Sequence, residues 1–298
     1  MERAVRTSCR VICTKNTENQ ALEHNESVLL QVQNLSKAFR KSRTLLQTLK
    51  GRAEHVKAID GVTFEVLRGE VLGLVGESGS GKTTLGRVIL RLEEPDSGSI
   101  RFEGSDYTSV KDRSTMKEFR RKMQMIFQDP FDSINPRMNV RDVIEEPLRI
   151  HNVGSGEEER TQLIRRSLED VRVNPPEDYL DRYPHELSGG QRQRIAIART
   201  LVLKPSFIVA DEPVSMLDVS VRMELLNLML DLKDRYGLTY LFITHDLAVA
   251  KYVCDRIAVM QSGKIVELGP AVQIIHNPQH PYTKALRAAV PVMKPHPH

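Results

Sequence analysis

Apolar residues along this chain fall into short continuous runs that alternate with longer stretches of helical period. Val28-Leu29-Leu30-Gln31-Val32 opens the ordered part as a strand. Val62-Thr63-Phe64-Glu65-Val66 alternates as a strand does, and Arg68-Gly69-Glu70 turns the chain. Val71–Val75 is apolar throughout, as in a strand buried on both faces. Met123–Phe127 reads as a strand too, as do Phe207–Ala210, Tyr240–Ile243 and Ile257–Met260. Leu85, Val88, Ile89 and Leu92 share one helical face. Val221, Leu225, Leu228 and Leu232 form a core stripe that Gly237 can terminate. Strands alternating with helices predict an α/β fold with a largely parallel sheet and its sites at the strand C-termini.

Residues 131–187 change character. They are polar, rich in Arg and Glu, helical in period at Leu163, Leu168 and Val171, and broken by Pro136, Pro147, Pro175 and Pro176. An inserted helical lobe is expected there. Residues 1–27 lack periodicity and are expected to be a disordered tail. Arg40 to His55 is basic and poor in apolar residues, as a surface excursion inside a hairpin would be.

Composition narrows the function classes. The 298 residues are 40% hydrophobic, enough for a full-sized core in one domain with a lobe inserted. The net charge of +4 is spread without any block of five or more like charges, so no nucleic-acid partner is indicated. No apolar stretch approaches the roughly 18 to 20 residues of a spanning helix, and Met1 to Gln20 has no apolar core of a secretory signal. The chain is expected to be soluble and cytoplasmic, with any membrane role supplied by a partner. Cys9, Cys13 and Cys254 read as reduced, unpaired thiols, and His296 and His298 as part of a solvated end.

The chemistry sits in three places. Gly76-Glu77-Ser78-Gly79-Ser80-Gly81-Lys82-Thr83 fits G-x-x-x-x-G-K-[ST], with a buried strand before it and a helix after it. Glycines let backbone N–H groups converge on phosphate oxygens, and the helix N-terminus adds positive potential. Lys82 brings a point charge to the β- and γ-phosphates. Thr83 offers a hydroxyl to Mg²⁺, and Thr84 can reach a phosphate. Asp211 ends an apolar strand, where it can hold the Mg²⁺ shell through water. Glu212, one residue on, can orient or deprotonate the attacking water. Leu187-Ser188-Gly189-Gly190-Gln191 precedes a helix with Ile195, Ala198 and Leu201 at its apolar positions. Its serine and exposed N–H groups make an anion site with no lysine or metal ligand of its own.

These motifs, in this order, resemble the ATP-binding cassette of ABC transporters, and the resemblance covers residues 28 to 293. It implies a P-loop core with an antiparallel β subdomain and an inserted helical lobe: a cassette at 28–270 and an extension at 271–298. It also implies a head-to-tail pair in which each copy's Ser188–Gly190 covers the γ-phosphate held by the other's Lys82. By resemblance, Gln128 contacts Mg²⁺ and water and hinges the lobe. His245 is the switch histidine that contacts the γ-phosphate and supports Glu212. Ser215-Met216-Leu217-Asp218 is the dimer-crossing loop, with Met216 where a small residue is usual, and Asp218 faces nucleotide. Phe39 is the aromatic that stacks on adenine. Phe127-Gln128-Asp129-Pro130, Ser133-Ile134-Asn135-Pro136-Arg137 and especially Asn277-Pro278-Gln279-His280-Pro281-Tyr282-Thr283-Lys284-Ala285-Leu286 look like the ATPases of oligopeptide/dipeptide permeases.

The function implied is that of an ATP-hydrolysing motor, using ATP and Mg²⁺ on the cytoplasmic face of the membrane. Its partners would be permease subunits, a second cassette and, indirectly, an external solute-binding protein. Similar ATPases serve nickel and oligosaccharide importers, and a cassette acting on ribosomes or DNA is the reading from another class. Some relatives hold an iron–sulfur cluster in the extension. No cysteine follows Cys254, so none is expected here.

Overall fold

The computed structural model describes residues 28–40, 55–129 and 134–289. The expected tail at 1–27, most of the basic excursion, Cys9, Cys13, Pro130, Ser133, His296 and His298 lie outside the described residues.

Two sheets organise the chain. An antiparallel sheet has the order β2-β1-β4-β5, formed by β1 (Val28–Arg40), β2 (His55–Leu67), β4 (Ser97–Phe102) and β5 (Ser105–Asp106). A six-stranded sheet runs β10-β9-β3-β8-β7-β6. Its members are β3 (Val71–Val75), β6 (Met123–Ile126), β7 (Phe207–Asp211), β8 (Thr239–Thr244), β9 (Arg256–Gln261) and β10 (Lys264–Pro270). Five of these pair in parallel and β10 alone is antiparallel.

β1 and β2 are much longer than the sequence pattern suggests. Their pairing continues to Phe39↔Val56, through register shifts at Val32/Leu35, Leu35/Lys37 and Lys37/Ala38. Val32 and Leu35 are both buried although three apart, as are Ile59 and Val62, so the irregularities hide the two-residue period from a reading of the sequence.

Consecutive residues of the central strands feed two separate cores. Val71, Ile208, Ala210, Tyr240, Phe242, Ile257 and Val259 pack with the helices of the far side. Leu72, Phe207, Val209, Leu241, Ile243, Ala258 and Met260 pack with the antiparallel sheet and with α1 (Lys82–Ile89). Both faces are buried, so these strands read as unbroken apolar runs. Leu92, expected on the face of α1, is exposed, because the helix has ended at Ile89 and Arg91 takes a left-handed φ of 49°.

After α2 (Arg113–Lys122), no strand intervenes between β6 and β7 among the described residues. That stretch carries α3 (Val140–His151), α4 (Glu157–Asp170), α5 (Glu177–Leu180) and α6 (Gly189–Leu201). Pro147, expected to break the chain, lies inside α3. Burial of Val143, Ile144 and Leu148 outweighs the roughly 3 kcal/mol that an interior proline costs a helix. α7 (Val219–Tyr236) buries Leu225, Leu228 and Leu232 and ends at Gly237, whose φ is 62°, as its stripe predicts. α8 (Leu247–Val253), α9 (Ala271–His276) and α10 (Pro281–Ala288) complete the chain.

Candidate active site

Because β3, β6, β7 and β8 are parallel, their C-terminal ends open on one edge of the sheet. The loop after β3 wraps tightly there. A Cβ at Gly76 would sit 2.2 Å from the Met260 carbonyl oxygen, and one at Gly81 would sit 2.1 Å from that of Ala58. Gly81 also has a φ of 107°, which a side chain would strain. The loop is braced by the Gly263 N–H, which donates to the Ser80 carbonyl at 2.9 Å.

Lys82 begins α1 and is buried. Its Nζ donates to the carbonyl oxygens of Gly76 and Glu77, each at 2.8 Å. Burial lowers its pKa, while Glu212, Asp211 and Glu77 act to keep it charged. The Ser80 hydroxyl is buried within the loop without a hydrogen-bond partner.

Thr83 Oγ1 donates to Asp211 Oδ1 at 3.1 Å. Asp211 is buried at the end of β7, and burial pushes its carboxyl above the usual carboxylate range. Among the described residues no cluster of three His, Cys, Asp or Glu could hold a metal by itself. A threonine hydroxyl beside one carboxylate suits Mg²⁺, which takes hard oxygen ligands and completes its shell with water and phosphate.

Glu212 follows with a φ of 45°, unusual for a side chain with a Cβ and held by its N–H donating to the Ile243 carbonyl at 2.9 Å. Its Oε1 lies 2.9 Å from His245 Nδ1, and its Oε2 accepts from Gln128 Nε2 at 3.3 Å. His245 is fixed between β8 and α8, where Asp246 caps the helix by accepting from the Ala248 and Val249 N–H groups. Gln128 and His245, distant in the chain, therefore converge on the Glu212 carboxylate, and each of the three residues follows a different strand.

A cavity of about 860 Å³ is lined by Ser78, Gly79, Gly81, Lys82, Thr83, Thr84, Gln128, Glu212 and His245. Lys57, Gly263 and Leu286 also line it, and none of these was read from sequence as a site residue. Phe39 is exposed at the end of β1, not in the cavity wall. Its cross-strand partner Val56 does line the cavity.

Ser188, Gly189, Gly190, Gln191 and Asp218 gather elsewhere, around a separate concavity of about 420 Å³ with Met216. Ser188 Oγ accepts the Gln191 N–H at 3.3 Å, and Gln191 Oε1 accepts the Ser188 N–H at 2.9 Å. This reciprocal cap starts α6. The Gln191 side chain, read from sequence as facing nucleotide, is thus engaged in its own helix terminus. A further cavity of about 280 Å³, bordered by Asp170, Leu201 and Tyr236, holds no residue of either group.

A buried lysine under a glycine loop, with carboxylates at the end of β7, one strand removed across β8, defines a nucleoside-triphosphate hydrolase of the phosphate-loop class. The chain belongs to the ABC transporter family, whose model matches residues 59–215. Residues 266–298 match the oligopeptide/dipeptide transporter C-terminal region. The chain is 50% identical over 274 residues to the oligopeptide transport ATP-binding protein OppF of Streptococcus mutans, covering 92% of this chain and 85% of that one. It is 53% identical over 240 residues to OppF of Bacillus subtilis, covering 80% and 78%.

Solved structures agree in fold. A dimeric ATP-binding cassette in a post-hydrolysis state, bound to ADP and phosphate, superposes with a TM-score of 0.71 at 27% identity, over 82% of this chain and 99% of that one. cbiO1 of Clostridium perfringens, part of the ABC transporter complex cbiONQ, does so with 0.71 at 26%, over 85% and 92%. The expected fold and ABC ATPase class are borne out. Among the described residues no helix is long and apolar enough to cross a membrane.

Proposed function

We propose that this chain is the ATP-hydrolysing motor subunit of an importer of oligopeptides, acting with permease subunits on the cytoplasmic face of the membrane. The observation that carries the paired mechanism is the division of the site. Lys82, Thr83 and Glu212 line one cavity, with Asp211 bonded to Thr83, while Ser188–Gly190 lie at another. Neither half is sufficient alone. A second cassette, identical or a sister, would bring its serine and glycine N–H groups over the phosphates held at Lys82.

On ATP binding, Lys82 turns from the Gly76 and Glu77 carbonyls to the phosphates, and the loop N–H groups hold the β-phosphate oxygens. Thr83 and Asp211 would hold Mg²⁺, which neutralises charge on the β- and γ-phosphates. Glu212 takes the proton of the attacking water, while His245 and Gln128 fix its carboxylate. Gln128 leads into residues 131–187, the lobe that moves against the rest of the cassette at 28–270. Phe39 would meet a base that extends past Val56, its cross-strand partner, which lines the cavity.

Peptide cargo is supported by the relatives and by the matched C-terminal region. The test is uptake of labelled short peptides by cells lacking the gene, compared with nickel and oligosaccharide uptake. Peptide uptake should fall and return with the unaltered gene. Ser188→Arg should fail to restore it, although the isolated variant binds ATP normally. Unchanged peptide uptake in the deletion strain would overturn the assignment.

A further inference from the structure

The C-terminal segment returns to the phosphate loop. The Glu77 N–H donates to Tyr282 Oη at 3.0 Å, and Leu286, four residues along α10, lines the 860 Å³ cavity. Residues four apart share one face of a helix, so that face of α10 forms part of the cavity's surroundings.

Its approach is built, not incidental. Glu267 on β10 accepts the N–H groups of Gln279 and His280 at 2.8 and 3.0 Å, which fixes the entry to α10. His280 caps the helix by accepting the Tyr282 N–H at 3.2 Å on Nδ1, and Pro281 occupies the first turn, where its missing N–H costs nothing. The peptide joining Gly76 to Glu77 is then held from both sides. Its N–H meets Tyr282, and its carbonyl meets Lys82 Nζ at 2.8 Å.

We propose that α10 is a working wall of the nucleotide site. Tyr282 is a positioning residue that fixes the Gly76–Glu77 peptide and through it Lys82. Leu286, an aliphatic side chain with nothing to offer phosphate oxygens, contacts the nucleoside part. The inference rests on reading the large cavity as the ATP site.

The experiment compares binding of ATP and of inorganic tripolyphosphate to the unaltered full chain, Tyr282→Phe, Leu286→Ala and the control Lys82→Ala. Phenylalanine keeps the packed ring and removes only the acceptor. Loss of one ordinary hydrogen bond predicts about fivefold weaker binding of both ligands to Tyr282→Phe. In turnover, KM for ATP should rise by a similar factor while kcat at saturation stays within about twofold. Leu286→Ala should weaken ATP and leave tripolyphosphate unchanged. If Lys82→Ala loses both ligands but Tyr282→Phe binds them as the unaltered chain does, the role of Tyr282 is refuted. Equal weakening of both ligands by Leu286→Ala refutes the nucleoside contact. If Lys82→Ala binds ATP normally, the reading of the cavity fails first, and the inference with it.

Discussion

Replacing Glu212 by glutamine exchanges one carboxylate oxygen for an amide NH₂ and conserves shape. The retained oxygen can still meet His245 Nδ1, which now lies 2.9 Å from Oε1. The new NH₂ faces Gln128, whose Nε2 donates to Oε2 at 3.3 Å; a flip of the Gln128 amide presents its oxygen instead. The left-handed φ of 45° costs either residue the same. Stability should therefore change by no more than about 1 kcal/mol, or roughly 2 °C in Tm for a chain of this size. What is lost is the base. General-base catalysis supplies about 10²–10⁴-fold in kcat, which is about 3–5 kcal/mol of barrier. Phosphate release at saturating ATP reads the first quantity, and titration of a fluorescent ATP analogue reads affinity. The variant should bind ATP as before, turn over hundreds of times more slowly, and run as an ATP-loaded dimer in size exclusion with Mg²⁺. If kcat stays within about threefold of the unaltered chain, Glu212 is not the base.

Two further outcomes follow from the same geometry. Gly81→Ala puts a Cβ against the Ala58 carbonyl at 2.1 Å in a backbone with φ of 107°, so the loop must shift. ATP binding should be lost in a calorimetric titration, with a stability loss of about 1–3 kcal/mol in urea unfolding. Asp211 has its carboxyl raised by burial, and Mg²⁺ needs the carboxylate, so proton and metal compete for it. The apparent Mg²⁺ affinity in ATPase assays should therefore fall as pH drops through that raised pKa, and Asp211→Asn should be weaker and flatter with pH.

Legibility in the sequence followed burial. β3, β7, β8 and β9 stand out because both their faces are covered, which leaves runs of apolar residues. β4, β5 and β10 gave no such signal, since each is largely exposed and β10 is an edge. α2 buries none of its residues fully, so no stripe marks it. In the site, the phosphate loop and the Asp211–Glu212 pair are local words in the chain, readable without a fold. Lys57, Gly263, Tyr282 and Leu286 reach the loop only because β2, the β9–β10 turn and α10 are folded around it. No spacing announces Lys57 or Gly263, and the motif that carries Tyr282 and Leu286 marks a subgroup without showing that it meets the loop. Gln191 shows the converse: a residue within a recognisable motif whose side chain the helix start claims for itself.

Strand β7 carries one last implication. Its odd positions Phe207 and Val209 fill one interior, its even positions Ile208 and Ala210 fill the other, and the next residue is Asp211. The strand thus acts as a ruler for the chemistry. Inserting a single residue upstream of Asp211 would swap every side chain between two differently shaped interiors and push the carboxylate pair about 3.3 Å along the sheet. Catalytic alignment and structural integrity would fail in the same event, so the length of this segment is the dimension of the protein least free to drift.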